Sequence, residues 1–238
     1  MSAAPTPTLH ILSAGAAKGL VGQMEDTFGR RHAHAISGEF GAVGLMREHF
    51  MSGAACDLII LSQKLIDGLA ADGLLQADSI RPLGVVRTGI AHRAGAPAPR
   101  VTDPHTLAQA LQAAPEIYFP DPEKATAGIH FIKVLSELGL AESLAQRLRP
   151  FPNGATAMRE LAAHGAQGAI GCTQVTEILY TPGVSLAGPL PARFELATVY
   201  AAAIPTRAGN PATASSLIAL LTGPDAEQQR RRGGFEPA

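Results

Sequence analysis

Along the chain, apolar runs of four to six residues alternate with segments whose apolar positions recur every three to four residues. That alternation predicts parallel strands covered by helices. Leu9 to Leu12 leads through Ser13-Ala14-Gly15-Ala16-Ala17-Lys18-Gly19 into a segment with Leu20, Met24 and Phe28 on one face, which reads as strand, small-residue turn and helix. A second such unit runs from His34-Ala35-Ile36 through a turn at Ser37-Gly38-Glu39-Phe40-Gly41 to a helix that buries Val43, Met46 and Phe50. Asp57-Leu58-Ile59-Ile60-Leu61-Ser62 is a third strand, and Lys64 to Ala71 its short helix.

From Pro82 the texture changes. Leu83 to His92 reads as one long strand closed by the turn-rich Ala94-Gly95-Ala96-Pro97-Ala98-Pro99, which marks a crossing into a second lobe. That lobe repeats the pattern, with a helix from Pro104 to Ala113, a strand from Glu116 to Phe119, and a loop over residues 120–128. Next comes a helix with Ile129, Ile132, Leu135 and Leu138 on one face. A further helix starts near Asn153-Gly154 and feeds the strand Gly168 to Cys172; Leu196 to Ile204 is a return strand, and two helices close the chain. The expected organisation is residues 1–82 and 198–238 as one Rossmann-like lobe and 83–197 as the other, joined by two extended crossings.

The 238 residues, 46% hydrophobic and 16% charged, suffice for two lobes of about 100 residues each. A net charge of −1 supplies no field for nucleic acid, and Arg230-Arg231-Arg232 fits a solvated helix C-terminus, where cations suit the dipole. Cys56 and Cys172 lie in or beside apolar runs and read as two buried thiols rather than a disulfide framework. No stretch of about 18 apolar residues predicts a membrane span. The start lacks the basic and apolar regions of a secretion signal, while Ala3-Ala4-Pro5 would suit a freshly cleaved N-terminus. Two compartments stay open: periplasmic if a signal has been removed, cytoplasmic otherwise.

Two βαβ lobes with two crossings and a returning C-terminal part resemble the type II periplasmic binding proteins. The order of segments is similar to that of the molybdate-binding branch over nearly the whole chain. The matching pieces are Leu12-Ser13-Ala14-Gly15-Ala16, Met51-Ser52-Gly53-Ala54-Ala55-Cys56-Asp57-Leu58, Asp121-Pro122 with Ala127-Gly128, and Gly223-Pro224-Asp225-Ala226 before Gly234-Phe235. The resemblance implies a small anion held in an interlobe cleft by hydroxyls and by backbone N–H groups at helix N-termini. It also implies an ABC permease as partner if the chain is exported. Two positions depart from the family: Ala16 stands where those proteins carry a serine, and Gly171-Cys172 where they carry a tyrosine. The loss of two hydroxyl donors, and the room a glycine leaves, argue for a small organic acid rather than a bare tetrahedral oxyanion.

On this reading Ser13, Gly15, Ala16, Ser37, Gly38, Glu39 and Ser62 line the ligand from one lobe. Arg87, Thr126, Gly128, His130, Asn153, Gly154, Cys172 and Thr173 line it from the other. Bland roles stand beside each of these. Lys18 reads as a surface lysine, Glu39 suits a helix dipole, His130 and Thr173 suit caps, and Cys172 lacks a neighbouring cation to activate it. Arg87 is the better placed of Arg87 and His92 to meet a carboxylate. No phosphate loop, dinucleotide turn, His-Glu-x-x-His or Cys-x-x-Cys occurs, so neither cofactor nor metal is called for. Two functions remain: a solute-binding protein, or an isomerase of a small carboxylic acid with His130 or Glu39 as base.

Overall fold

The computed structural model describes residues 6–238, so the Ala3-Ala4-Pro5 segment lies outside the described residues. The chain divides into two compact units, one comprising residues up to 41 with 45–85 and 199–238, the other residues 42–44 and 86–198.

In the first unit, β1 (Thr8–Ala14) runs parallel to β2 (Ala35–Gly41) on one side and to β3 (Leu58–Ser62) on the other. Between them come α1 (Lys18–His32), α2 (Val43–Met51) and, after β3, α3 (Gln63–Ala71). Leu58, Ile59, Ile60 and Leu61 are all fully buried, as a parallel strand covered on both faces requires. Helix α1 buries Leu20, Val21, Met24 and Phe28, one stripe at helical spacing. It stops at Ala33, which takes up the left-handed conformation and donates its N–H to Gly29.

Asp57 pins the opposite end of this sheet. Its carboxylate accepts the backbone N–H of His10 at 2.9 Å and that of Asn210 at 2.9 Å, and the side chain is buried. Asp57→Ala leaves two part-buried N–H groups without their acceptor and is expected to cost about 2 kcal/mol in urea unfolding. A loss below about 1 kcal/mol would mean that water replaces the carboxylate there.

The second unit begins within β4 (Arg81–Arg93). There follow α4 (Pro104–Ala113), β5 (Ile117–Pro120), α5 (Thr126–Glu137), the single turn α6 (Ala141–Leu144), β6 (Leu148–Phe151), α7 (Gly154–His164), β7 (Ile170–Gln174), α8 (Val175–Tyr180) and β8 (Val184–Pro189). Its strands lie in the order β4-β7-β5-β6, with β8 also paired to β4. Directly paired residues share a face of a sheet. Ile90 and Cys172 therefore face one side, packed with Leu107, Leu111, Phe131 and Leu135; Ala91 faces the other, packed with Met158, Leu161 and Ile178. Helix α4 starts on a reciprocal cap in which Asp103 accepts from Thr106 N–H at 2.9 Å and Thr106 Oγ1 accepts from Asp103 N–H at 3.2 Å.

The chain returns through β9 (Ala197–Ala203), antiparallel to β3, and ends in α9 (Pro211–Thr222) and α10 (Glu227–Arg232). The α/β class is as the alternating pattern predicts. Two short strands, β6 and β8, do not appear in that pattern, because each holds proline or glycine and neither is deeply buried.

Candidate functional site

Parallel strands deliver their carboxyl ends to one edge of each sheet, where loops and helix N-termini offer unpaired donors. In the first unit those ends are Ala14, Gly41 and Ser62. Strand β1 extends through Ser13, whose buried hydroxyl donates to Ala14 O at 3.0 Å, and Gly15 and Ala16 form one turn of 3-10 helix before α1. Ser62 occupies the N-cap position of α3 without capping it, so its hydroxyl is not spent on the helix.

Ser37, Gly38 and Glu39 correct the sequence reading of this stretch. They lie inside the edge strand β2, opposite His10, Ile11 and Leu12, and not in a strand-to-helix turn. The strand continues because its pairing with β1 outweighs the small, flexible residues that suggested a turn. Phe40 folds back over Gly38, where a Cβ would stand 2.4 Å from the ring, and Glu39 pairs with His49 at 2.6 Å. Lys18 sits over the same ring at 6.0 Å.

In the second unit, Arg87 pairs with Glu195, and His130 Nε2 lies 2.8 Å from the carbonyl of Phe194. Together with the bonds Thr88 N–H to Leu196 O and Leu190 N–H to Thr88 O, these strap residues 190–196 onto the unit. Thr126 opens α5, whose N-cap position holds Ala125 and has no side-chain cap. Gly128 is glycine for a contact reason: a Cβ would come within 2.2 Å of Asp121 O and 2.3 Å of Pro120 O.

The N-terminus of α7 is where the structure says most. Asn153 caps it, accepting the N–H of Thr156 at 2.9 Å. Beside it lies the buried carboxylate of Glu177, which accepts a hydrogen bond from Thr173 Oγ1 at 2.5 Å and is met by the backbone N–H groups of Ala155, Gln174 and Gly154. Burial pushes this carboxyl above the ordinary carboxylate range, and the four donors pull it part of the way back. A Cβ on Gly154 would lie 2.0 Å from both Glu177 Oε2 and Thr173 Oγ1, so only glycine fits. The donors expected to be free for a ligand are thus turned toward a carboxylate of the chain itself.

Three further expectations change here. Strand β7 runs on to Gln174, so Thr173 is a strand residue holding Glu177 and not the cap of α8. The space at Gly171 is filled rather than open, since a Cβ would meet Met158 Cε at 2.4 Å. Cys172 is fully buried among apolar side chains, and burial raises its thiol far above the ordinary range, as burial raises Cys56 to about 12. Neither thiol is poised as a nucleophile.

Three further buried polar residues carry the remaining chemistry. The side chains of Gln174, Thr176 and Thr88 are all buried, with exposures of 3%, 4% and 1%. Both amide atoms of Gln174 and the hydroxyls of Thr176 and Thr88 lack a hydrogen-bond partner among the described residues. Thr88 and Gln174 are directly opposite one another on β4 and β7 and so share a face. Buried polar atoms without partners are uncommon in a folded chain and call for an explanation. The signal for them was legible in part: Thr-Gln-Val-Thr-Glu is a polar run at the end of an apolar strand, and Thr88 is polar within one. Only the register shows that Thr88 and Gln174 meet. No cluster of three or more His, Cys, Asp or Glu side chains that could hold a metal occurs among the described residues. No helix among them is long and apolar enough to cross a membrane.

Comparison with known proteins agrees with this architecture. The chain superposes on the periplasmic molybdate-binding protein of Azotobacter vinelandii with a TM-score of 0.80 at 20% identity, covering 97% of this chain and 99% of that one. It superposes on the sulfate-binding protein of Mycobacterium tuberculosis with a TM-score of 0.73 at 14% identity, covering 98% and 87%. In sequence it is 23% identical to an aconitate isomerase of a Pseudomonas species over all of this chain and 90% of that protein. The family model described as bacterial extracellular solute-binding protein matches residues 9–236, which is nearly the whole sequence, and the chain belongs to that family.

Proposed function

We propose that this protein binds a small organic anion, a carboxylate that also carries a hydrogen-bond donor. The observation that carries the reading is the unpartnered amide of Gln174 with the unpartnered hydroxyls of Thr88 and Thr176. An amide presents a donor and an acceptor side by side, and whichever way it is turned both stay unanswered. A fully deprotonated tetrahedral oxyanion offers acceptors alone and leaves the amide oxygen unmatched. A hydroxy acid answers both. The molybdate and sulfate proteins on the same fold favour an anionic solute in general. An exported form of the chain would deliver its ligand to an ABC permease in the periplasm.

A second reading, an isomerase of a small carboxylate, is favoured by the aconitate isomerase relative, which is matched over the whole of this chain. The two bases that the sequence offered are both engaged within the fold, Glu39 by His49 and His130 by Phe194 O. Thermal unfolding against molybdate, tungstate, sulfate, phosphate and a panel of hydroxy-, di- and tricarboxylates tests the binding reading. A ligand at 100 times its dissociation constant adds about 2.7 kcal/mol. Stabilisation by a carboxylate is the expected result, and stabilisation by a metal oxyanion alone would sink it. Incubating the active carboxylate with the protein and following it by NMR then separates capture from conversion.

A further inference from the structure

We propose that the outer edge of β2 is a pairing surface for a second copy of this chain, the two edges joining antiparallel about Gly38. Strand β2 ends the sheet of the first unit, with β1 on one side and no strand on the other among the described residues. Ala35 donates its N–H to Pro7 O, so in this parallel ladder Ala35, Ser37 and Glu39 turn their backbone groups toward β1. Those of Ile36, Gly38 and Phe40 therefore point outward, and no other described segment takes them up. Such a row is a template for another strand, and proteins commonly blunt it with a proline, a bulge or a short strand. In the second unit β6, at the end of the strand order, is four residues long and holds Pro150. By contrast β2 is seven residues long, holds no proline and keeps an unbroken register with β1. Ala35, Ser37, Gly38 and Glu39 are exposed, and Ile36 and Phe40 half-buried.

The order of side chains selects a second copy as the occupant. Outward from Gly38 the strand is alike in both directions: Ser37 and Glu39 are polar, Ile36 and Phe40 apolar, Ala35 and Gly41 small. That symmetry suits a two-fold joint in which the same patch meets itself. About Gly38, Ile36 exchanges backbone hydrogen bonds with the partner's Phe40, an apolar pair on one face, and the two glycines exchange theirs at the axis. Ser37 stands across from the partner's Glu39 at a non-hydrogen-bonded position, where Cα atoms approach to about 4.5 Å and the hydroxyl can donate to the carboxylate. Centring the joint on Glu39 would set carboxylate against carboxylate, which is unfavourable. Centring it on Ser37 would put Ile36 across from glycine and Phe40 across from His34, so the apolar pair is lost. The Phe40 ring already lies over Gly38, where a Cβ would stand 2.4 Å from it. The two rings thus cover the paired glycines.

The test is sedimentation velocity up to about 300 µM on wild type, Ser37→Lys, Ser37→Glu and Gly38→Pro, with circular dichroism to confirm that each is folded. Amide exchange by NMR at the highest concentration reads the edge directly. Wild type is expected to reach the mass of two chains, with Ile36, Gly38 and Phe40 N–H exchanging as slowly as Ser37 and Glu39 N–H, which β1 already holds. Ser37→Lys meets the partner's Glu39 twice in each dimer and is expected to tighten association about fivefold, while Ser37→Glu loosens it about tenfold. Gly38→Pro removes the central donor and is expected to leave single chains. A wild-type mass of one chain at the highest concentration overturns the proposal. So does a dimer whose Ile36, Gly38 and Phe40 N–H exchange fast, or one that persists in a folded Gly38→Pro, since another face then joins the chains. Equal effects of Ser37→Lys and Ser37→Glu overturn the joint about Gly38. If Gly38→Pro does not fold, the opposite signs at Ser37 decide. The ligand reading stands or falls separately, because no ligand enters these measurements.

Discussion

Replacing Gln174 by leucine is expected to weaken carboxylate binding at least about tenfold while leaving the protein as stable as before, or more stable by about 1 kcal/mol. The two effects have opposite signs for one reason. The amide is buried with neither of its polar atoms paired, so in the ligand-free chain it costs desolvation and returns nothing. An apolar side chain of similar size removes that cost. With ligand present the same amide supplies a donor and an acceptor, and leucine leaves two ligand groups desolvated and unanswered. Proteins keep such locally unfavourable groups where function requires them. Calorimetry and urea unfolding on one preparation read both effects. A variant that is destabilised by 2 kcal/mol or more would show that the amide has a structural partner, and full binding would remove it from the site.

The second large effect is expected at Gly154. An alanine there sets its methyl 2.0 Å from Glu177 Oε2 and Thr173 Oγ1, both fixed in a buried hydrogen-bonded group. Neither can retreat cheaply, since the carboxylate would leave its donors at the start of α7 and the threonine is a fully buried strand residue. Overpacking and the loss of a buried carboxyl's hydrogen bonds together are expected to cost about 3 kcal/mol, read as a shift in the urea midpoint at unchanged slope. Gly53 is the internal control of a different kind: nothing lies within 4 Å of a Cβ there, so any cost comes from its φ of 94° alone. A Gly154→Ala protein within about 0.5 kcal/mol of wild type would mean that Glu177 moves freely.

The α/β class, the strand β1 and helix α1 that follow from Leu9 to Phe28, helix α4, and the Asn153 start of α7 were all readable from local pattern. In each case the signal is short in range: a buried parallel strand is continuously apolar, a helix shows its stripe, and a cap residue stands where the backbone runs out of partners. Family membership was readable too, because Ser13 to Ala16, Asp57 and Gly223 to Ala226 occur in a fixed order along the whole chain.

The tertiary structure decided everything that depends on a partner distant in sequence. Ser37 to Glu39 became strand and not turn because β1 lies alongside them, and pairing along a strand overrides a weak local preference. Glycine at 171 proved to be a contact with Met158, and glycine at 154 a seat for Glu177; the sequence shows only that a side chain is missing, not what fills its place. Thr88 and Gln174 are 86 positions apart, and their common face follows from the register of β4 on β7. Local composition can place a polar residue in a buried strand, but whether its hydrogen bonds are met is a property of the packed neighbours, and it is there that this chain keeps its candidate site.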